Sequence, residues 1–411
     1  MKKRKRKLMT VLLLTGVMAA TLMGCGKKKE ILLWHPLGGL DGQYFEEMVE
    51  AYNATEPEYP IKSIVQGDMY TKIYTMMGSG SKEEIPDLMV YHAERVEVFK
   101  NQGFLSPMDG VIANQPDING GNYQEEAWKA GEVDGERWAV PLDTHSTLLI
   151  YNEDLVAEYA PGVLDDGIVT FDELYQVKEN LTDDSVVVYG MNMRSWLAKS
   201  LITQLGGSIN DGDMPTINTP EAVQAYSQLK ALVDDGIAQP DGEDPLALVQ
   251  TGGCIFYQGA TWDAGALNEI EGLNWGFATS PVFDTSSLAN CSSSHQFGML
   301  KKERSEEVQK GIADFLEFVR MNPELWAKSG QNPASKQFVE SGVYKNYKQS
   351  VLMDDPRLSE SITIYDFLYT NETGSALDTV TDDMIFGRLD IEEGLALAQK
   401  EVEDKVNEAT N

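Results

Sequence analysis

Residues 31–52 of the chain read ILLWHPLGGLDGQYFEEMVEAY, and this stretch decides the fold class. It opens with the apolar run Ile31–Trp34, which has the length of a buried strand and stops before Gly38-Gly39. The apolar residues that follow recur at the spacing of one helix face, and they are Phe45, Met48, Val49 and Tyr52. The stretch therefore predicts a strand followed directly by an amphipathic helix.

The same alternation of strand and helix signals continues along the chain. Ile61–Val65 and Asp87–Tyr91 have the pattern of strands, and Tyr70–Met77 between them has the pattern of a helix. Strands that alternate with helices in this way form parallel sheets with crossover helices. We therefore predict an α/β fold.

The second half of the chain carries signals of the same kind. A capping box at Thr170 and Glu173 opens a helix at Phe171. A second helix opens at Thr219-Pro220, has the apolar face Val223, Tyr226, Leu229 and Val233, and ends at Gly236. Cys254–Tyr257 is predicted to be a strand, and Ile312–Val319 part of an amphipathic helix.

The first 25 residues have the pattern of a bacterial export signal. Met1–Lys7 carries six positive side chains and no acid, and Leu8–Met23 is apolar or small throughout. The run ends in Leu-Met-Gly-Cys, which resembles the lipobox at which a cysteine receives a diacylglycerol. We expect a signal peptide over residues 1–24, lipidation at Cys25 and a polar tether over residues 25–29. The protein would then lie outside the cytoplasm, anchored to the cell membrane by lipid.

The charge of the chain excludes one class of partner. Removal of residues 1–24 takes six of the 33 basic residues, so 27 remain against 65 acidic ones, a net charge of −38. A surface of this charge repels the phosphate backbone, and nucleic acid is therefore not expected as a partner. Its main effect is solubility.

Length and cysteine content add two further expectations. The 411 residues exceed what a single core usually serves, so two domains are expected. Cys254 and Cys291 remain after Cys25, and no feature of the sequence brings them within bridging distance. We therefore expect buried or free thiols, although the sequence leaves a disulfide open.

No catalytic motif is found in the sequence. A phosphate-binding loop, a His-Glu-x-x-His pair, a Gly-x-Ser-x-Gly elbow and a calcium loop are all missing. We expect no enzymatic activity and no cofactor. A surface-anchored glycoside hydrolase stays open as an alternative, because such an enzyme needs only two carboxylates whose separation the sequence does not give.

The four histidines lie beside predicted strands. His35 and His92 follow apolar runs, and His145 and His295 precede them. Ligands of open α/β sheets bind at the carboxyl ends of strands, so all four are candidate ligand contacts. A histidine-based metal-capture lipoprotein is a second alternative, since imidazole binds zinc well. Paired ligand spacing is missing, and we assign no metal ligands.

Two tryptophans lie just past predicted strands. Trp262 and Asp263 follow Gly259 and Ala260 on a loop, and Trp196 follows Arg194 in a similar position. A sugar ring has an apolar C–H face and a rim of hydroxyls, and it is held by an aromatic side chain and polar groups. We interpret these four tryptophan, aspartate and arginine residues as candidate sugar contacts.

The chain resembles the family 1 extracellular solute-binding proteins, which include the maltose- and oligosaccharide-binding proteins of ABC importers. The resemblance covers the whole chain from the signal onward. It is carried by four stretches, which are Trp34–Gly42, Gly135–Leu155, Gly252–Trp262 and Ser329–Ala334. The third stretch departs from the family pattern at Phe256, where methionine is common.

The resemblance implies a periplasmic-binding-protein-like fold of two α/β lobes, joined by three crossovers, with the ligand in the cleft. It implies that lobe 1 comprises residues 30–143 and 297–331, and lobe 2 residues 144–296 and 332–411. Asp41 in the first stretch and Asp143 at the first crossing become candidate ligand contacts, and Asp68 is included with them.

The implied function is capture of a solute by hinge closure and its delivery to the transmembrane subunits of an ABC permease. The candidate loops offer aspartates and histidines with Arg194 as a lone guanidinium, whereas a phosphate would require several basic groups. A neutral mono- or oligosaccharide is therefore expected as the ligand, with glycerol phosphate left open. We expect the protein to act as a monomer.

Overall fold

The structure is a computed structural model that describes residues 30–80 and 85–410. The predicted signal peptide over residues 1–24, the lipidation site Cys25 and the tether over residues 25–29 lie outside the described residues. None of the helices in the described part of the chain combines the length and the apolar character that crossing a membrane requires.

The strands of the described residues are, in chain order, β1 (Ile31–His35), β2 (Ile61–Val65), β3 (Leu88–His92), β4 (Leu105–Ser106), β5 (Glu132–Val133), β6 (Glu136–Arg137), β7 (Ala139–Pro141), β8 (Asp143–Asn152), β9 (Val187–Met191), β10 (Asn210–Asp211), β11 (Met214–Pro215), β12 (Cys254–Ala260), β13 (Trp275–Ala278), β14 (Asn290–Ser293), β15 (His295–Leu300), β16 (Asn332–Pro333) and β17 (Ile362–Ile364).

The α-helices of the described residues are α1 (Gly39–Asn53), α2 (Met69–Ser79), α3 (Val96–Asn101), α4 (Asp109–Ile112), α5 (Glu125–Lys129), α6 (Glu153–Tyr159), α7 (Phe171–Asn180), α8 (Arg194–Gln204), α9 (Pro220–Asp234), α10 (Pro245–Gln250), α11 (Ala264–Asn268), α12 (Glu306–Met321), α13 (Glu324–Ala327), α14 (Lys336–Val339), α15 (Val351–Asp354), α16 (Pro356–Glu360), α17 (Thr370–Ile385) and α18 (Ile391–Thr410). Short 3-10 helices lie at Ala93–Arg95, Gly120–Asn122, Thr261–Asp263, Tyr344–Asn346 and Lys348–Ser350.

The first sheet has the strand order β2-β1-β3-β15-β4, and β7 also pairs with β15. Strand β1 is parallel to β2 and β3, as the alternation of strands and helices predicted. Its side chains are buried on both faces of the sheet. Leu33 belongs to the same apolar cluster as Phe45 of α1, and Leu32 belongs to the cluster on the other face, with Met69 of α2. Burial on both faces explains why β1 is apolar without alternation.

The second sheet has the order β17-β14-β8-β12-β9, and β13 and β16 also pair with β8. The predicted capping box of α7 is present at Thr170 and Glu173. Helix α9 begins after the cap Thr219, as predicted, but its buried face is rotated from the predicted one. The buried residues are Ala222, Ala225, Tyr226, Leu229 and Leu232. Val223 and Val233 lie at the edge of this face, and α9 packs against α8 and α17.

The chain passes between the two sheets at three places, and the connecting segments lie next to each other. Strand β8 begins immediately after β7, β15 immediately after β14, and β16 follows α13. Asn332 of β16 pairs with Thr144, and Ser293 of β14 pairs with His145. The first residues of β8 are therefore flanked by both of the other connections.

Both described cysteines, Cys254 and Cys291, are buried and free, which confirms the expectation of buried thiols.

Candidate functional site

Asp143 lies at the start of β8, where the chain passes between the sheets, and it is fully buried. One carboxylate oxygen accepts hydrogen bonds from Nδ1 of His145 (3.2 Å) and the backbone N–H of His295 (2.9 Å). The other oxygen accepts from Nδ1 of His295 and Nε1 of Trp326, both at 2.7 Å. Asp143 therefore orients two histidines and ties them to α13.

Three of the four histidines meet around this carboxylate. His295 at the start of β15 is the strand partner of His92 at the end of β3, and their ring centroids are 4.9 Å apart. The ring of His145 is 4.3 Å from that of His295 and 5.7 Å from that of His92. One ring nitrogen from each histidine lies within 4.8 Å of the other two.

The surroundings shift the pKa values of the three histidines in different directions. Burial lowers the pKa of His92 to about 3. Burial, with the neighbouring His295, also lowers the pKa of His145. Burial opposes the charge of His295 as well, but the carboxylate of Asp143 outweighs it and raises the pKa of His295. The same interactions outweigh burial at Asp143 and hold its pKa below the ordinary value. Nδ1 of His295 and the carboxylate of Asp143, 2.7 Å apart, thus each favour the charged form of the other.

Two tryptophans continue the site from the histidines. Trp262 lies on the 3-10 helix that follows β12, and its ring is 5.7 Å from that of His145. The ring of Trp196 on α8 is 6.0 Å from that of Trp262, at an angle of 80°. Both indoles are half-buried, and Nζ of Lys199 lies 4.7 Å from the centre of the Trp196 ring. The pair therefore offers aromatic faces that are only partly covered by protein.

A cavity of about 250 Å³ adjoins Trp196. It is lined by Glu94, from the part of the chain around the first sheet, and by residues around the second sheet such as Ser293 of β14. Glu94, which follows β3 of the first sheet, accepts a hydrogen bond from Oγ of Ser293 at 2.6 Å. The backbone carbonyl of Glu94 accepts a hydrogen bond from Asn371 at 3.1 Å. The cavity is lined by Glu94, Trp196, Lys199, Cys291, Ser292, Ser293, Tyr365, Thr370, Asn371, Gly374, Ser375 and Asp378.

Asp41 on α1 and Asp263 on the 3-10 helix after β12 lie close enough for their charges to interact. Asp41 accepts a hydrogen bond from Nε2 of Gln331 (2.9 Å), and Gln331 in turn accepts one from Thr261 (2.7 Å). Asp263 accepts the backbone N–H of Ala260 at 3.0 Å. Burial raises the pKa of Asp41 to about 6, and burial with the nearby Asp41 does the same for Asp263.

Three residues of the predicted site lie apart from this group. His35 is fully buried, contacts the ring of Phe45, and bonds Glu46 through Nε2 at 2.9 Å. Asp68 is exposed at the start of α2, and its side chain caps no N–H of that helix. The guanidinium of Arg194 forms two hydrogen bonds, of 2.7 and 2.8 Å, with Asp382. The sequence interpretation grouped these residues with the others, and the fold separates them.

Several residues of the site were not predicted from the sequence. Glu94 lies two positions after His92, and this proximity was the one available signal. Lys199 and Asp378 lie on helices α8 and α17, where their spacing is that of an ordinary solvated face, and Tyr365 directly follows strand β17. Trp326 reaches Asp143 from 183 positions away in the sequence, a separation that no local pattern indicates.

Residues 39–320 match the family model described as bacterial extracellular solute-binding protein. The chain belongs to this family. Among curated relatives of this solute-binding protein, a maltotriose-binding protein of Pyrococcus abyssi is 24% identical over 62% of this chain. The aligned part spans 54% of that relative, about half of its length. The sn-glycerol-3-phosphate-binding periplasmic protein UgpB of Brucella abortus is 21% identical over 80% of each chain.

Solved structures of solute-binding proteins share the fold. The maltotriose-bound domain MalE of Bdellovibrio bacteriovorus has a TM-score of 0.76 at 17% identity, covering 92% of this chain and 100% of that one. The cycloalternan complex of Lmo0181 from Listeria monocytogenes has a TM-score of 0.72 at 20% identity, covering 92% and 99%. These likenesses confirm the predicted α/β, periplasmic-binding-protein-like fold class.

Proposed function

We propose that this solute-binding protein captures a neutral oligosaccharide and delivers it to the permease of an ABC importer. Two observations carry the proposal: the half-buried indole of Trp196 lines a cavity with hydroxyl, amide and carboxylate groups, and the indole of Trp262 lies next to that of Trp196. Sugar rings stack their C–H faces on such indoles and bond their hydroxyls to such polar groups. Relatives and structures named for maltotriose and cycloalternan support the same ligand class.

Capture works through closure of two lobes, residues 30–143 with 297–331 and residues 144–296 with 332–411. A ligand that contacts Glu94 from one side and Trp196 or Asp378 from the other makes both sets of contacts only in the closed form. The difference in contact energy between the open and closed forms drives closure. The closed form then presents a surface that the permease recognises, and no covalent chemistry is needed.

The protein works outside the cytoplasm as a lipid-anchored monomer in this proposal. Fatty acyl chains at Cys25, palmitate among them, hold it to the membrane, and residues 25–29 are the tether. A surface-anchored glycoside hydrolase is the competing hypothesis, and its test is chromatography of maltotriose after incubation with the protein. Release of glucose or maltose would contradict a pure binding role.

Glycerol phosphate is a second candidate ligand, because Lys199 lies in the cavity and UgpB proteins are among the relatives. The cavity also contains the carboxylates of Glu94 and Asp378, which oppose an anion. The other nearby cation, Arg194, is already paired with Asp382. A neutral ligand fits this balance of charge better than a phosphate does.

The test is a thermal-unfolding screen of the purified protein with maltotriose, mannotriose and sn-glycerol 3-phosphate. A ligand present at about one hundred times its Kd adds about 2.7 kcal/mol to the stability of the folded state. We expect an oligosaccharide to raise the Tm and sn-glycerol 3-phosphate to leave it unchanged. The reverse result would favour the second candidate, and the absence of a response to every sugar tested would contradict the proposal.

A further inference from the structure

The histidine cluster has a property that sugar binding does not require. One ring nitrogen from each of His92, His145 and His295 lies within 4.8 Å of the other two. Zinc binds histidine nitrogens at about 2.0–2.1 Å, so two nitrogens on a tetrahedral ion are about 3.4 Å apart. Binding of an ion would bring these nitrogens closer together by up to about 1.4 Å.

The second ring nitrogens of these histidines are held in the way that metal sites hold them. Nδ1 of His145 and Nδ1 of His295 both donate to Asp143, so Nε2 is the atom of each ring that an ion can reach. The hydroxyl of Tyr70 lies 2.5 Å from Nδ1 of His92, and its oxygen also accepts the backbone N–H of His92 at 3.1 Å. A carboxylate or oxygen partner on the far nitrogen is the usual support of a metal-binding histidine.

The Nε2 atoms are otherwise unengaged. Within residues 30–80 and 85–410, no hydrogen bond to Nε2 of these three histidines is present. Nε2 of His35 differs, because it bonds Glu46. Among the described residues, the Nε2 atoms of His92, His145 and His295 therefore have no protein partner that would compete with a cation.

The charge of the surroundings suits a divalent ion. Asp143 lies behind two of the rings, and Glu94 lies two residues after His92 and beside the cluster. A divalent cation balances these two negative charges.

From these contacts we propose that His92, His145 and His295 bind one divalent transition-metal ion of the zinc class. Three imidazoles leave a fourth position for water or for an oxygen of a solute. His92 and His295 belong to the first sheet and His145 to the second, so the ion joins the two sheets beside the chain connections. The site goes beyond the proposed carbohydrate function and does not depend on it.

The experiment is a zinc and cobalt titration of the purified protein, prepared without a histidine tag and stripped with a chelator. We expect one zinc per chain by calorimetry, and visible absorption of bound Co²⁺ typical of a tetrahedral site. His92→Gln is the main variant, because it leaves the bonds of Asp143 intact, and His145→Gln and His295→Gln follow. Each should lower zinc affinity by about tenfold or more.

His35→Gln is the matched control, since it removes the one histidine that lies outside the cluster, and it should keep the affinity of the wild type. Cooperative unfolding of each variant shows that it is folded. Zinc binding that persists unchanged in folded His92→Gln, or no binding by the folded wild type, would overturn the proposal. Zinc is titrated without sugar and sugar with chelator present, so failure of one proposal is separate from failure of the other.

Discussion

Both carboxylate oxygens of Asp143 are occupied by protein donors, and this limits what the residue does in the site. His145, His295 and Trp326 together use the oxygens that a sugar hydroxyl would need. The geometry favours a role in which Asp143 holds His145 and His295 in place for whatever they contact. Its assignment as a direct ligand contact stays a prediction.

The first residue-scale prediction concerns Trp262. Trp262→Ala should weaken oligosaccharide binding by roughly thirtyfold or more, because removal of an aromatic anchor from a desolvated pocket costs about 2 kcal/mol. Trp262→Phe should recover part of the loss, since a smaller ring still stacks. Calorimetric titration gives the affinities, and urea unfolding gives the stability.

The matched control for this variant is Trp128→Ala. Trp128 is also half-buried, and it stacks on Tyr123 and Arg137 away from the cavity. It should lose stability without losing affinity. Equal affinity losses in the two variants would assign the Trp262 effect to general destabilisation.

The second prediction uses the raised pKa of Asp41. Its folded pKa of about 6 lies above the ordinary 3.8, so the folded state holds the proton more tightly than the unfolded state. The contribution of this proton to stability is complete below about pH 4 and is lost as the pH rises through about 6. Asp41→Asn should therefore be about 3 kcal/mol more stable than the wild type at about pH 7.5 and equal to it near pH 4. Urea unfolding at both pH values measures this.

Asp68→Asn is the control for the pH experiment. Asp68 is exposed, and exposed substitutions away from special features change stability by about 0.5 kcal/mol or less. A pH-independent gain in Asp41→Asn would show that burial of the carboxylate is not its cause.

At the scale of elements, the local patterns predicted the pieces of the fold and missed their arrangement. Strand β1 and helix α1 lie where residues 31–52 placed them, because amphipathic periodicity is a local property. The antiparallel insertion of β15 between β3 and β4 was not predicted. That pairing joins segments about two hundred residues apart, and no periodicity encodes it.

The same limit applies to the candidate site. His92 and His295 were each recognised as neighbours of strands, but their meeting depends on the register between β3 and β15. The separation of Arg194 from the cluster depends on Asp382, which lies on α17. A sequence shows which residue type stands at each position. Tertiary packing decides which other residue pairs with it, forms its hydrogen bonds or neutralises its charge.

The element-scale prediction concerns Gly330, in the connection between α13 and β16. Its φ is +99°, and an added Cβ would press on the carbonyl oxygen of Thr261 and on Ala264. Gly330→Ala should cost about 3 kcal/mol of stability from strain and overpacking, and should weaken ligand binding because Thr261 precedes Trp262. Urea unfolding and sugar titration measure the two effects.

Gly342→Ala provides the comparison, because a Cβ at that position meets no atom within 4 Å. It should leave both stability and affinity close to those of the wild type. If Gly330→Ala behaves like Gly342→Ala, the connection is looser than the packing against Thr261 implies.

At the scale of the whole molecule, the proposed function assigns anchoring and binding to separate parts of the chain. Cys25→Ala should abolish incorporation of radiolabelled palmitate and leave the protein as a retained precursor or a shed form. Its purified folded part should bind sugar with the affinity of the wild type, because the site is built entirely from residues after 40. Loss of sugar affinity in folded Cys25→Ala protein would contradict this separation.

Strand β8 is long enough for a small rotation at one of its ends to produce a large displacement at the other. Its ten residues run from Asp143, between the connecting segments, to Asn152, whose side chain caps the start of α6. At about 3.3 Å per residue the strand is about 30 Å long, and its pairing with β12, β13, β14 and β16 keeps it stiff. Each degree of rotation at Asp143 then moves the α6 end by about 0.5 Å. A turn of about ten degrees beside the histidines becomes a displacement of about 5 Å on the far surface, the width of one strand spacing.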